Sequence, residues 1–80
     1  MFFAYILLSL KDYRTYVGYT NDLDKRLVRH NSGQVTATQN RRPLKVLFYE
    51  ELPTMQEAKK RELYSKSGAG RRKLKKIFEQ

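Results

Sequence analysis

The stretch Tyr16-Val17-Gly18-Tyr19-Thr20-Asn21-Asp22-Leu23-Asp24-Lys25-Arg26-Leu27-Val28-Arg29-His30 sets the order of the fold. Its first five residues mix β-branched and aromatic side chains, as a strand does. At Asn21-Asp22 the chain turns, and Asn21 is placed to cap the first turn of a helix. In that helix Leu23, Arg26, Leu27 and His30 fall, at roughly 100° per residue, within an arc of about 100°. Two leucines turn this face toward the protein body. An arginine and a histidine that share the face need a partner, because an inward charge without one is costly. The partner is either another part of the chain or a bound anion.

On the N-terminal side, Phe2-Phe3-Ala4-Tyr5-Ile6-Leu7-Leu8 is apolar on both faces, which predicts a central strand covered on both sides. Ser9 to Tyr13 turns the chain, and Arg14 to Thr20 returns as its antiparallel partner. On the C-terminal side the helix is expected to end near Asn31-Ser32-Gly33, with Gly33 in the left-handed cap position. Gln34 to Pro43 is polar and long for a small domain, which favours function over mere connection. Leu44 to Leu52 predicts a third strand, with Val46 and Phe48 on one side and Leu47 and Tyr49 on the other. Thr54 and Glu57 form a capping box that opens a second helix. Met55, Ala58 and Glu62 share its inward face, with Lys66 one turn on, and Gly68 and Gly70 end it. A short basic helix follows, with Leu74, Ile77 and Phe78 on one side. The order β-β-α-β-α-α makes an α+β fold on a three-stranded antiparallel sheet.

Eighty residues suit one small domain with a modest core. Seventeen Lys and Arg against eight Asp and Glu give a net charge of +9, which points to a polyanionic partner, nucleic acid or an anionic membrane face. The membrane is the weaker option, because no helix joins a basic face to a strongly apolar one at length. The chain has no cysteine, which excludes a disulfide framework and a thiolate zinc site and fits the cytoplasm. The Phe2 to Leu8 run is about a third of a membrane span. It has neither the basic flank nor the cleavage site of a signal peptide.

The polar residues expected to point inward are Tyr5, Tyr16, Arg26, His30 and Glu62, drawn from separate elements. Hydrolysis of a phosphodiester needs a carboxylate to hold a divalent metal, a cation to balance transition-state charge and a base to activate water. Glu62, Arg26, and a Tyr or His match those needs. Each also has a plainer reading. Arg26 would be salt-bridged or snorkelling, and His30 a partner of the helix dipole. Glu62 and Lys66 would be an i,i+4 ion pair, and Tyr5 and Tyr16 strand packing. Gly18 would mark a bulge or a close approach. The basic residues from Lys66 to Lys76 serve either solvation or nucleic-acid contact.

Taken together these residues resemble the GIY-YIG nuclease domains, and in particular their small stand-alone bacterial members. Tyr16-Val17-Gly18 is similar to the second signature triplet. Phe3-Ala4-Tyr5 is similar to the first, with Phe3-Ala4 in place of Gly-Ile. Tyr5 stands eleven positions before Tyr16, Arg26 ten after it, and His30 four further on. Glu62, within Arg61-Glu62-Leu63-Tyr64-Ser65-Lys66-Ser67-Gly68, falls at the metal-binding glutamate. Asn31-Ser32-Gly33, Arg42-Pro43 and Gly68 to Arg72 are similar to the stand-alone members. The asparagine that many members carry after the glutamate helix has no equivalent.

The resemblance implies a three-stranded sheet with flanking helices and a metal-dependent DNA endonuclease. Its cutting would be structure-selective or weakly specific, in DNA repair, recombination or processing. It implies Mg²⁺ or Mn²⁺ on Glu62, Arg26 on the scissile phosphate, and Tyr5 as base, as a phenolate or through a water. Tyr16 and His30 would orient Tyr5 and relay the proton, and Gly18 would allow close packing at the site. Arg42, Lys66, Arg71, Arg72, Lys75 and Lys76 are the expected nucleic-acid contacts, with DNA as partner ahead of RNA. The rival expectation is a binding module that keeps the fold without turnover. Five inward polar positions together favour the enzyme.

Overall fold

β1 (Phe2–Ser9) lies between β2 (Thr15–Thr20) and β3 (Leu44–Leu52) and runs antiparallel to both. This is the central strand that its double-sided apolar sequence predicts. The computed structural model describes residues 1–67. The expected basic helix, Gly68 and Gly70, and the expected contacts of Arg71, Arg72, Lys75 and Lys76 lie outside the described residues. Helix α1 (Leu23–Asn31) joins β2 to the loop before β3, and α2 (Met55–Lys66) follows β3.

Ala4, Tyr5, Ile6 and Leu7 are all buried. Because side chains alternate along a strand, Tyr5 and Leu7 share one face. There they pack with Leu44, with Tyr16 of β2, with Val46 of β3, and with Leu23 and Leu27 of α1. The two leucines of the opening stretch thus turn α1 onto the sheet as its periodicity requires. α2 packs mainly against β2 and β1, with Ala58 fully buried. Its Arg61 reaches Glu50 of β3 in an ion pair at 2.9 Å that is not aligned as a hydrogen bond.

Three local expectations need correction. β3 carries a bulge: Ile6 pairs with Phe48 but Leu7 pairs with Val46, so Leu47 is the extra residue. Val46 and Phe48 therefore lie on opposite faces, and Val46 joins the core while Phe48 is 38% exposed. The α1 cap is Asp22, not Asn21. The Thr20 hydroxyl accepts the Asp22 N–H at 3.2 Å, and this turn delays the helix by one residue. Asp22 Oδ1 then accepts the Lys25 N–H at 3.1 Å. Met55 shares the angular sector of Ala58 and Glu62 but stands at the first position of α2 and is exposed.

The ends of the long loop are fastened by side chains. Asn31 accepts the Leu44 N–H at 2.7 Å and donates to the Leu44 carbonyl at 2.9 Å, so it pairs with the first residue of β3 as a strand would. The buried Ser9 hydroxyl donates to the Arg41 carbonyl at 2.7 Å, and Arg41 is ion-paired to Asp12 at 3.2 Å. Gly33, at φ 83°, follows the α1 cap as expected. Thr54 accepts the Glu57 N–H at 3.2 Å, one half of the expected capping box.

The cap assignment separates two neighbouring residues. Asp22→Ala is expected to cost about 1 kcal/mol of stability, the usual worth of an N-cap, and Asn21→Ala much less. Chemical denaturation of the two variants checks this, and the reverse order would return the cap to Asn21.

Candidate active site

Two elements meet at the hydroxyl of Tyr5, and a third stands behind them. β1 supplies Tyr5 itself, 1% exposed. α1 supplies Arg26, whose Nε donates to Tyr5 Oη at 3.3 Å, and His30, whose Nε2 lies 3.1 Å from the same oxygen. The loop after α1 supplies Thr38, whose Oγ1 lies 2.7 Å from His30 Nδ1. His30 and Thr38 are fully buried. The inward arginine and histidine of the helix thus find an internal partner, and it is the same oxygen for both.

β2 shapes the other side. Tyr16 lies in register with Leu7, on the face of Tyr5, and its ring meets that of His30 edge-on with centroids 5.1 Å apart. Gly18 lies in register with Tyr5. A Cβ at Gly18 would fall 2.5 Å from Tyr5 Oη and 2.6 Å from Cζ. Of the two readings of Gly18, close approach is the right one: a side chain there would push the hydroxyl off Arg26 and His30.

Burial and the single positive charge fix the protonation states. The Tyr5 pKa is raised, mainly by burial, against the opposing pull of Arg26. Like an ordinary tyrosine, Tyr5 is a phenol at neutral pH, and its burial moves it further from the phenolate. Arg26 is held in its charged form, first by its hydrogen bond to Tyr5. His30 is lowered to about 4, first by burial and then by the charge of Arg26. It is neutral at pH 7, so it is not a charged partner of the helix dipole.

Glu62 is the carboxylate near this cluster. Its side chain is only 12% exposed, and its Oε1 lies 2.5 Å from Lys66 Nζ, so the expected i,i+4 ion pair is formed. Its charge still reaches Tyr5, where it helps to raise the pKa. Among the described residues no three His, Cys, Asp or Glu gather as a metal cluster. Lys66 is thus engaged with Glu62. Arg42 stands elsewhere: its Nε donates to the Gln39 carbonyl at 2.8 Å and its guanidinium lies over Gly33. It lines a polar cleft with Lys11, Asn31 and Asn40, away from Tyr5.

Sequence reasoning missed Thr38, and also the fastening roles of Asn31 and Ser9. The length of the loop marked its neighbourhood, but no local pattern singles out one threonine whose partner is eight residues away.

The family model for the GIY-YIG catalytic domain matches residues 1–75. The chain belongs to the GIY-YIG family. Membership implies a nuclease with a nucleic-acid substrate. The chain is 39% identical over 74 residues to a UPF0213 protein of Staphylococcus saprophyticus, covering 91% of this chain and 90% of that one. It is 38% identical over 78 residues to a UPF0213 protein of Clostridium perfringens, covering 96% and 83%. The solution NMR structure of a UPF0213 protein from Bacillus halodurans superposes with a TM-score of 0.56 at 32% identity, covering 96% of this chain and 85% of that one. Among the described residues no helix is long and apolar enough to cross a membrane.

The histidine gives a pH prediction. Its folded pKa of about 4 lies below the ordinary 6.5 or so, so protons favour the unfolded chain. Its contribution to stability is full above about pH 6.5 and drains as pH falls toward 4, by at most about 3 kcal/mol. The His30 ring protons are expected to titrate near pH 4 by NMR. His30→Gln should lose the corresponding slope in denaturation between about pH 6.5 and 4. An imidazole that titrates near its ordinary value would contradict the buried neutral assignment.

Proposed function

We propose that this protein is a metal-dependent endonuclease that hydrolyses phosphodiester bonds in DNA, with structural or weak sequence selectivity, in DNA repair, recombination or processing. The observation that carries the reading is the Tyr5 hydroxyl, shared by a fixed cation and a neutral imidazole. A buried phenol of raised pKa is a poor base alone. Beside a neutral imidazole it accepts one proton while passing on another.

In the proposed step, water gives a proton to Tyr5 Oη as Tyr5 gives its own to His30 Nε2. The water oxygen bonds to phosphorus, the ester P–O bond breaks, and the leaving oxygen takes a proton from solvent. His30 returns its proton through Tyr5 afterwards. The substrate's negative charge opposes the burial and the Arg26 repulsion that hold His30 neutral, and so makes it a better acceptor when DNA is bound. Arg26 contacts the scissile phosphate and steadies the charge that grows on it. Tyr16 packs against His30 and keeps the ring in place.

Glu62 would hold Mg²⁺ or Mn²⁺. The fit is chemical: a mostly buried carboxylate offers a hard oxygen, and its partner Lys66 is half-exposed and free to swing aside. These ions take one or two carboxylates and complete their shell with water and phosphate. When bound, the ion supplies Lewis-acid support to the phosphate and the leaving oxygen. Arg71, Arg72, Lys75 and Lys76 would hold the DNA backbone without reading bases. Lys66, once released, and Arg42 would add to that hold.

Arg26 tests the reading against a binding module of the same fold. Arg26→Ala is expected to lower the single-turnover cleavage rate by on the order of 10²-fold or more, with a much smaller change in DNA affinity. Arg26→Lys should restore little, since it lacks the planar fork. Glu62→Gln should abolish metal-dependent cleavage while the protein still folds and binds. A folded Arg26→Ala that cuts at the parental rate would defeat the assignment.

A further inference from the structure

The threonine behind His30 has a role that packing alone does not explain. Thr38 Oγ1 is buried, 2.7 Å from His30 Nδ1 and 3.5 Å from the Val35 carbonyl. Its backbone is fixed on both sides, by Thr38 N–H to the Val35 carbonyl at 3.1 Å and Arg41 N–H to the Thr38 carbonyl at 2.9 Å. The loop is in turn tied to the β1–β2 turn by Ser9 and by Lys11, whose Nζ donates to the Asn40 carbonyl at 3.1 Å. The hydroxyl is therefore presented to the imidazole from a fixed frame.

A neutral imidazole has one N–H and one bare nitrogen, and the bond made by one nitrogen sets the role of the other. With the proton on Nδ1, every donor along the chain has an acceptor. Arg26 Nε donates to Tyr5 Oη, Tyr5 donates to His30 Nε2, His30 Nδ1 donates to Thr38 Oγ1, and Thr38 donates to Val35. With the proton on Nε2, Tyr5 Oη would face two N–H donors. Its own proton would lose the imidazole as acceptor, and Thr38 would turn away from Val35. The first arrangement satisfies the buried groups and the second does not.

We propose that Thr38 is a positioning residue that fixes His30 as the Nδ1–H tautomer, so that Nε2 stays bare to receive the Tyr5 proton. The tautomer follows from the hydrogen-bond geometry alone. Its consequence for rate rests on the nuclease reading above. Thr38→Val keeps the shape and removes the hydroxyl. A bare Nδ1 then meets the methyl group at least cost, the proton moves to Nε2, and the path from Tyr5 closes.

The test is ¹⁵N NMR of the His30 ring near pH 7 in the parent, Thr38→Val and Thr38→Ser, together with single-turnover cleavage and circular dichroism. The parent and Thr38→Ser are expected to show a protonated Nδ1 and a bare Nε2. Thr38→Val is expected to shift toward the Nε2–H form and to cut on the order of 10²-fold more slowly, the low end for a lost acid–base partner. Its DNA affinity should stay near the parent's, and Thr38→Ser should retain most of the rate. A parent with its proton on Nε2 overturns the proposal without any variant, even if Thr38→Val does not fold. A Thr38→Val that keeps the parental tautomer, or shifts it and still cuts at the parental rate, overturns it as well. The expected spectra in a parent that cuts nothing would support the tautomer assignment and defeat the nuclease reading instead.

Discussion

The hydroxyl of Tyr5 ties β1 to α1 and, through His30, to the loop that follows it. It lies in the middle of the central strand, 1% exposed, where a polar atom must be matched by others. The matches come from α1, through Arg26 and His30, and behind His30 from the loop, through Thr38. The next strand must leave room for it, which Gly18 does. One buried oxygen therefore dictates the residue beside it on β2, the inward face of α1 and the path of the loop. The apolar contacts of Leu7, Leu23, Leu27 and Leu44 hold the same face together, but they would tolerate exchange among similar side chains far better.

The electrostatic character of the site follows from that burial. One fixed charge, Arg26, is admitted, and it is held by a neutral oxygen. Burial raises the Tyr5 pKa against the pull of Arg26, and burial together with Arg26 keeps His30 neutral. The result is a hydrogen-bonded chain from Tyr5 through His30 to Thr38 with no net charge of its own, beside the cation Arg26. Glu62 makes its ion pair with Lys66 on α2 and reaches Tyr5 only through its charge, which helps to raise the Tyr5 pKa. Such a division suits the proposed reaction, in which metal support would come from α2 and the proton transfers from β1 and α1.

Much of this was legible in the residues. The double-sided apolar run of β1, the capped helix after β2 and the inward face of α1 follow from periodicity, and so does the order of elements. The spacing of Tyr5, Tyr16, Arg26, His30 and Glu62 carried the family, and the match over residues 1–75 agrees. The features that were not legible are tertiary. The β3 bulge depends on how two strands pair, so Val46 and Phe48 part company although their spacing puts them together. The cap moved to Asp22 because of a turn held by Thr20, one residue earlier. Thr38 has no sequence signature, because its role exists only once the loop has folded back on His30. The raised pKa of Tyr5 likewise depends on burial that no local pattern reports.

In the proposed reaction Tyr5 Oη handles the proton in metal-supported hydrolysis. Tyr5→Phe tests it most directly, since the ring remains in the core and only the oxygen is lost. The measurement is single-turnover cleavage by the parent and Tyr5→Phe on duplex, single-stranded, flapped and branched DNA, with Mg²⁺, Mn²⁺ or EDTA. Binding to the same DNA is measured alongside. The account predicts that the parent cuts at least one of these substrates only when metal is present. Tyr5→Phe should bind that DNA about as well and cut it on the order of 10²-fold or more slowly. A folded Tyr5→Phe that cuts at the parental rate, or a parent that cuts equally well in EDTA, would contradict it.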